Sequence, residues 1–254
     1  MRYFKVLNVD GQSTGGQEFP WPVPEGKRFG KWLPTVKGDL LAYENGYHIC
    51  TPSQLLEWMG PCIWEVEVRG EVVQAGRMTV VRSARIISLK HWNERVARLF
   101  ACDCATRALR RERTAGHEPD KRSWEAIRVA HLYAEGKATN QELIAAGVAA
   151  GYAFTASEVA WTSGKAATKA AWNTTAAAWA TTEVAPGARA WATWNTTAAT
   201  IGAAWNASEA AACAASAAWD GAGHAAWKAE RRWQALRLLE YLDGKRGRPE
   251  EVTP

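Results

Sequence analysis

Residues 78–113, MTVVRSARIISLKHWNERVARLFACDCATRALRRER, decide the fold, because the spacing of their apolar side chains changes partway through. Up to Leu89 the stretch reads as a strand. From His91 on, Trp92, Val96, Leu99, Phe100 and Ala108 recur near i, i+4 and i+7, the spacing of one helix face. The expected class is therefore α+β: a small β-rich N-terminal domain over 1–89, then a larger all-α, Ala/Trp-rich helical domain over 90–245. Residues 246–254 are expected to form a flexible tail.

Upstream of this change the strand signals continue. RYFKVLN opens the chain, and CIWEVEVRG sets Trp64, Val66 and Val68 against Ile63, Glu65 and Glu67, the alternation of a half-buried strand. Between them lies the Gly/Pro-rich loop GQSTGGQEFPWPVPEGKRFGKWLP. LLAYENGYHIC reads as a hairpin, its Asn45-Gly46 pair suited to the positive φ angles of a type I′ turn. Thr51 as N-cap and Pro52 at the first helical position predict a short helix between the strands.

Downstream, RSWEAIRVAHLYAEG predicts a second helix. Thr139-x-x-Glu142 and Thr155-x-x-Glu158 read as capping boxes opening a third and a fourth. Beyond them Trp161, Trp172, Trp194, Trp205 and Trp227 stand at multiples of eleven residues, with Glu183 and Ser216 in the vacant slots. Eleven residues wind about 1100°, some 20° past three turns, so these positions share a helix face. A single helix over 156–245 would be about 135 Å long, and Pro186-Gly187 and Gly221/Gly223 break it into three. Alanine lets helices approach closely while indoles fill the space between them, each burying roughly 150–250 Å².

The chain has 254 residues and a formal net charge of +5, spread along its length, which permits an anionic partner without demanding one. Five cysteines at irregular spacing do not form a disulfide framework and imply reduced thiols in a cytoplasmic setting. Cys102 and Cys104, two apart on a helix, point in different directions and lack a second pair at zinc spacing, so no metal is expected. No signal peptide is legible at MRYFKVLNVDGQ. Residues 190–208 are uncharged but poor in strongly apolar side chains, so no membrane span is expected.

Catalytic motifs are scarce. GKRFGKW has only three residues between its glycines and Trp32 where a P-loop needs Ser or Thr, so no phosphate cradle and no cofactor follow from it. Arg28, Lys31 and Trp32 in that loop nevertheless combine cations with an aromatic, the elements of an anionic-nucleotide site. Glu44 and His48 form a second candidate ligand-binding group, with Cys50 two residues beyond His48 on the same strand face. The better-supported reading of that group is structural, one His and one Cys buried in a small β core; ligand contact and a Cys-His nucleophile pair are the alternatives. Arg107, Arg110 and Arg111 form the clearest basic run, a candidate partner surface or a solvated helix face.

The stretches WNERVARLFACDCATRAL and WEAIRVAHLYAEGKATNQELIAA resemble the immunity-protein family of bacterial and phage genomes. The likeness is carried by Trp92-Asn93-Glu94-Arg95 and Cys102-Asp103-Cys104-Ala105, covers about 91–150, and extends to the tail in composition. Residues 2–89 resemble a small uncharacterised phage-associated domain, through Tyr43 to Cys50 and Glu65 to Val73. Together the resemblances imply a setting of phage–bacterium conflict in which one side neutralises a toxin or a defence component; with no catalytic motif and a large helical part, the expectation is a non-enzymatic binding protein that blocks or sequesters such a component. Its partner would be a bacterial protein or an anionic nucleotide. The alternatives are a nucleotide-directed enzyme with its site in the β-rich domain, and a structural protein whose helices form a homo-oligomer.

Overall fold

The computed structural model describes residues 1–13, 19–26, 28–161, 204, 206–213 and 223–246. The chain is mixed α+β, with a curled sheet in its N-terminal part and helices in its C-terminal part, and divides into two compact units, Met1–Trp92 and Asn93–Pro254. Among the described residues no helix is long and apolar enough to cross a membrane. Of the tryptophan stripe, Trp161, Trp172, Trp194 and Trp205 fall outside the residues whose side chains or backbone are described, as do the turns expected near 186 and 221, while Trp227 is described and half-buried.

Unit 1 contains β1 (Tyr3–Leu7), β2 (Tyr47–Ile49), α1 (Pro52–Leu55), β3 (Cys62–Ala75) and β4 (Met78–Leu89), in the antiparallel sheet order β1-β3-β4-β2. The sheet curls until its outer strands meet: Phe4 N–H donates to Cys50 O at 2.8 Å, and Cys50 N–H to Phe4 O at 2.7 Å. Leu7, Trp21, Leu33, Ile49, Val66, Val81, Ala84 and Ile86 form one buried cluster inside the curl. Between β3 and β4 the register shifts at Glu65/Val66 and at Arg69/Val72, and such irregularities increase local twist.

The short helix forms where Thr51 and Pro52 predict it, Thr51 Oγ1 accepting from Gln54 N–H and the Gln54 side chain accepting from Thr51 N–H. The expected hairpin is corrected. Leu41 and Asn45 exchange backbone bonds across a turn at 42–44, in which Tyr43 takes a φ of 68°, and β2 pairs with β4 instead of with residues 40–42. The reason lies at Asn45, whose side chain donates to Lys37 O at 2.9 Å and Asp39 O at 2.7 Å and is therefore committed to the preceding loop. Gly46, at φ 124°, faces Val80 Cγ1 so closely that a Cβ would stand 2.4 Å from it.

Unit 2 opens with α2 (Glu94–Thr114), capped by Asn93 Oδ1, which accepts from Val96 N–H at 3.0 Å. It continues through α3 (Lys121–Ala134), α4 (Asn140–Trp161) and α5 (Gly223–Leu242), and 206–213 is also helical. The Thr139/Glu142 capping box is made in both directions, Thr139 N–H to Glu142 Oε2 at 2.6 Å and Glu142 N–H to Thr139 Oγ1 at 3.2 Å. The second box is corrected: α4 runs unbroken through Thr155 to Trp161. A cap needs extended backbone, and no proline interrupts the alanine-rich residues before Thr155, whose helix propensity is high.

The two cysteines of α2 do diverge. Cys102 joins the cluster of Leu109, Trp124, Ile127, Ala130 and Leu143, while Cys104 lies within the electrostatic reach of Glu230 and Arg231 on α5. Burial pushes the Cys102 thiol up to about 12. Among the described residues no group of three or more His, Cys, Asp or Glu side chains could hold a metal ion.

A candidate binding site of alternating aromatic rings and guanidiniums

The candidate site lies on unit 1 and is built by a loop laid along the open edge of β4. Gly30 N–H donates to Ile86 O at 2.8 Å, Leu33 N–H to Ala84 O at 2.9 Å and Val36 N–H to Arg82 O at 2.9 Å. Ser83 Oγ donates to Leu33 O at 2.7 Å, and Tyr47 OH to Pro34 O at 3.0 Å. Glycine is required at position 30 by space: a Cβ there would sit 2.2 Å from Pro22 O. Leu33 enters the buried cluster, whereas its neighbour Trp32 stays half-buried.

Trp32 meets the face of β3 and β4 opposite Val66 and Val68. Glu67 stands across from Arg85 and Arg69 across from Ser83, which sets Arg69 and Arg85 diagonally on adjacent strands. The Arg69 guanidinium lies 3.8 Å from the Trp32 ring centroid and that of Arg85 4.8 Å from it. Arg85 also lies 4.9 Å from the ring of Phe29, which keeps 57% of its surface in solvent. The order Phe29, Arg85, Trp32, Arg69 is thus an alternating ladder. Each contact is attractive through the ring quadrupole, and arginine can stack its planar head on a ring while its N–H donors remain available.

The cations of this surface differ in their engagement. Arg85 Nε donates to Glu67 Oε2 at 2.7 Å, and Arg82 pairs with Glu71 while donating to Gly38 O at 2.6 Å. Arg69 meets no carboxylate among the described residues, and neither do the exposed side chains of Arg28 and Lys31. Arg69 is therefore a guanidinium held against an indole, with no carboxylate partner among the described residues.

Of the residues singled out from sequence, Arg28, Lys31 and Trp32 lie on this loop, and Trp32 is the one built into the ladder. Phe29, Arg69 and Arg85 were not legible as site residues. The signal for Arg69 is the exposed side of the EVEVRG alternation, but which β4 residues it faces depends on two register shifts that spacing does not reveal.

Glu44 and His48 are placed differently. Glu44 is exposed in the 42–44 turn, and His48 Nε2 accepts from Tyr43 N–H at 2.9 Å, which fixes the neutral ring with its proton on Nδ1. Burial, and secondarily Lys5, hold the His48 pKa below its ordinary value. Burial pushes the Cys50 thiol up to about 12, against the smaller opposing pull of Lys5. No hydrogen bond joins His48 to Cys50 among the described residues, and a neutral thiol beside a committed imidazole lacks the features of an activated nucleophile.

The basic run on α2 is drawn into the fold. Arg107 Nε donates to Glu230 Oε2 at 2.9 Å and Arg111 pairs with the same carboxylate, which is fully buried. Arg107 also lies 4.4 Å from the Trp233 ring centroid, with Arg237 5.0 Å from it. Arg110 is half-buried on the same helix. Nearby, Tyr241 OH donates to the buried Asp103 at 2.9 Å, and Arg237 and Arg246 stand 3.5 and 3.8 Å from that carboxylate. Arg246, at the start of the expected tail, also donates to Glu240 at 2.8 Å.

Comparison of the chain with known protein families, with curated proteins and with solved structures gives no match.

Proposed function

We propose that the chain is a non-enzymatic binding protein whose β-rich unit holds an anionic, base-bearing ligand on the Phe29–Arg85–Trp32–Arg69 ladder. The observation that carries this reading is Arg69: its guanidinium stands 3.8 Å from the Trp32 ring centroid, with no carboxylate partner among the described residues. Charge-assisted hydrogen bonds from such an arginine suit phosphate, and the neighbouring rings suit a nucleobase.

The resemblance of 91–150 to immunity proteins and of 2–89 to a phage-associated domain supports a setting in phage–bacterium conflict. There, holding an anionic nucleotide signal would withhold it from a defence component. For the helical unit we propose the finer architecture of a Trp/Ala bundle with an eleven-residue repeat, acting as a rigid frame. A thermal-shift screen with cyclic nucleotides and ADP-ribose derivatives tests the reading. A rise of several degrees that disappears in Arg69→Glu is expected, whereas a flat response to every ligand in the unaltered protein would discard the nucleotide in favour of a protein partner.

A further inference from the structure

The ladder is a run, not a socket. Small-molecule sites enclose about 70–90% of their ligand, but here Phe29 is 57% exposed and Arg28, Lys31 and Arg69 are all exposed. Four groups, two rings and two guanidiniums, meet in succession at 4.9, 4.8 and 3.8 Å, more stacking partners than one base can use. The cations without carboxylate partners among the described residues are Arg28 and Lys31, next to Phe29 and Trp32 in sequence, and Arg69 against the Trp32 ring. Several separated phosphates would satisfy them better than one.

Resting on the anionic-nucleotide reading above, we propose that the ladder binds single-stranded nucleic acid, with successive phosphates at Arg28, Lys31 and Arg69 and an unstacked base on the exposed ring of Phe29. A duplex hides its base faces from a protruding phenyl ring. An acidic peptide would use the cations and leave the aromatic rungs idle. Single strands use both, since every base has a face to stack and every linkage a charge to neutralise. Glu67 and Glu71 do not oppose this, because each is already neutralised by its arginine and lends that arginine a fixed orientation.

Fluorescence anisotropy of the full chain with labelled oligothymidylates of roughly two, six and twelve nucleotides, at about 50 and 200 mM salt, tests the proposal. Affinity is expected to tighten at least about tenfold from the shortest to the longest, with a log–log salt slope near −2 for three phosphates. Arg69→Glu and Phe29→Ala, both at exposed positions, are each expected to weaken the longest strand by about tenfold while leaving the thermal midpoint unchanged. Equal affinity for thymidine monophosphate and the longest strand would overturn this inference and leave the nucleotide reading standing; no binding of either would overturn both. Equally effective competition by duplex DNA or polyglutamate would overturn it too, since the surface would then read charge alone. Undiminished binding in both variants would place the contact elsewhere and end the proposal.

Discussion

The two units use the same side chains, arginine, tryptophan and glutamate, to opposite ends. In unit 1 the Trp32 ring carries two guanidiniums at the surface, and the carboxylates beside them, Glu67 and Glu71, are roughly half exposed. In unit 2 the Trp233 ring also carries two guanidiniums, but Arg107 turns to a carboxylate removed from water and Arg237 lies against Asp103. Desolvation is the difference. A buried carboxylate must be matched by its cations or the unit loses several kcal/mol, so those arginines are spoken for. An exposed pair gains little from its own attraction, and its donors remain open to a third party.

The comparison breaks most visibly at Glu230. Glu230→Ala leaves Arg107 and Arg111 facing an emptied buried site and is expected to destabilise unit 2 by about 3–5 kcal/mol in denaturant unfolding followed by helical circular dichroism. An unchanged midpoint would mean that the pair is solvated and that the two units do not differ. Next in size is Gly30→Ala. Its Cβ would press on Pro22 O, so a loss of about 1–3 kcal/mol from unit 1 is expected, with weaker ligand binding as the Trp32 loop lifts from β4.

Tyr241→Phe removes the hydroxyl that donates to Asp103 and is expected to cost about 1–2 kcal/mol. Smaller still is a pH effect at His48. Its folded pKa lies below the ordinary 6.5, so the unfolded chain binds the proton more readily; stability conferred by the neutral ring is present above that value and is lost as pH falls below it. Urea midpoints of unit 1 should therefore drop on acidification from pH 7 to 5, and His48→Gln should flatten that component of the profile. At the bottom of the scale, Arg69→Glu should move the midpoint by no more than about 0.5 kcal/mol. A larger loss would show that Arg69 serves the fold and not a ligand.

The sequence made the coarse architecture legible where local chemistry is self-contained. The alternation of Trp64, Val66 and Val68, the helical spacing after Trp92, and the caps at Thr51 and Thr139 each depend on residues within a turn or two of one another. The rest was decided by contacts or continuity outside the motif itself. Asn45-Gly46 has turn chemistry, but Lys37 O and Asp39 O claim the asparagine. Thr155 and Glu158 have capping chemistry, but the helix they sit in does not stop. Arg107 and Arg111 read as a surface because their partner, Glu230, lies more than a hundred positions away. Of the candidate site, Trp32 and its loop were readable from composition, while Arg69 and Arg85 became visible through strand pairing alone.

The reciprocal bonds between Phe4 and Cys50 carry a consequence for how unit 1 is assembled. β1 finds its long partner at Cys62 to Val66, so the ring is sealed through contacts distant in sequence, a topology associated with slow folding. At Phe4 and Cys50 the two outer strands satisfy each other's backbone groups, which leaves less edge for a second chain to pair with. Removing Met1 to Leu7 would therefore do more than shorten the protein: it would turn a ring into an open ribbon and lay bare the β3 margin from Cys62 to Val66.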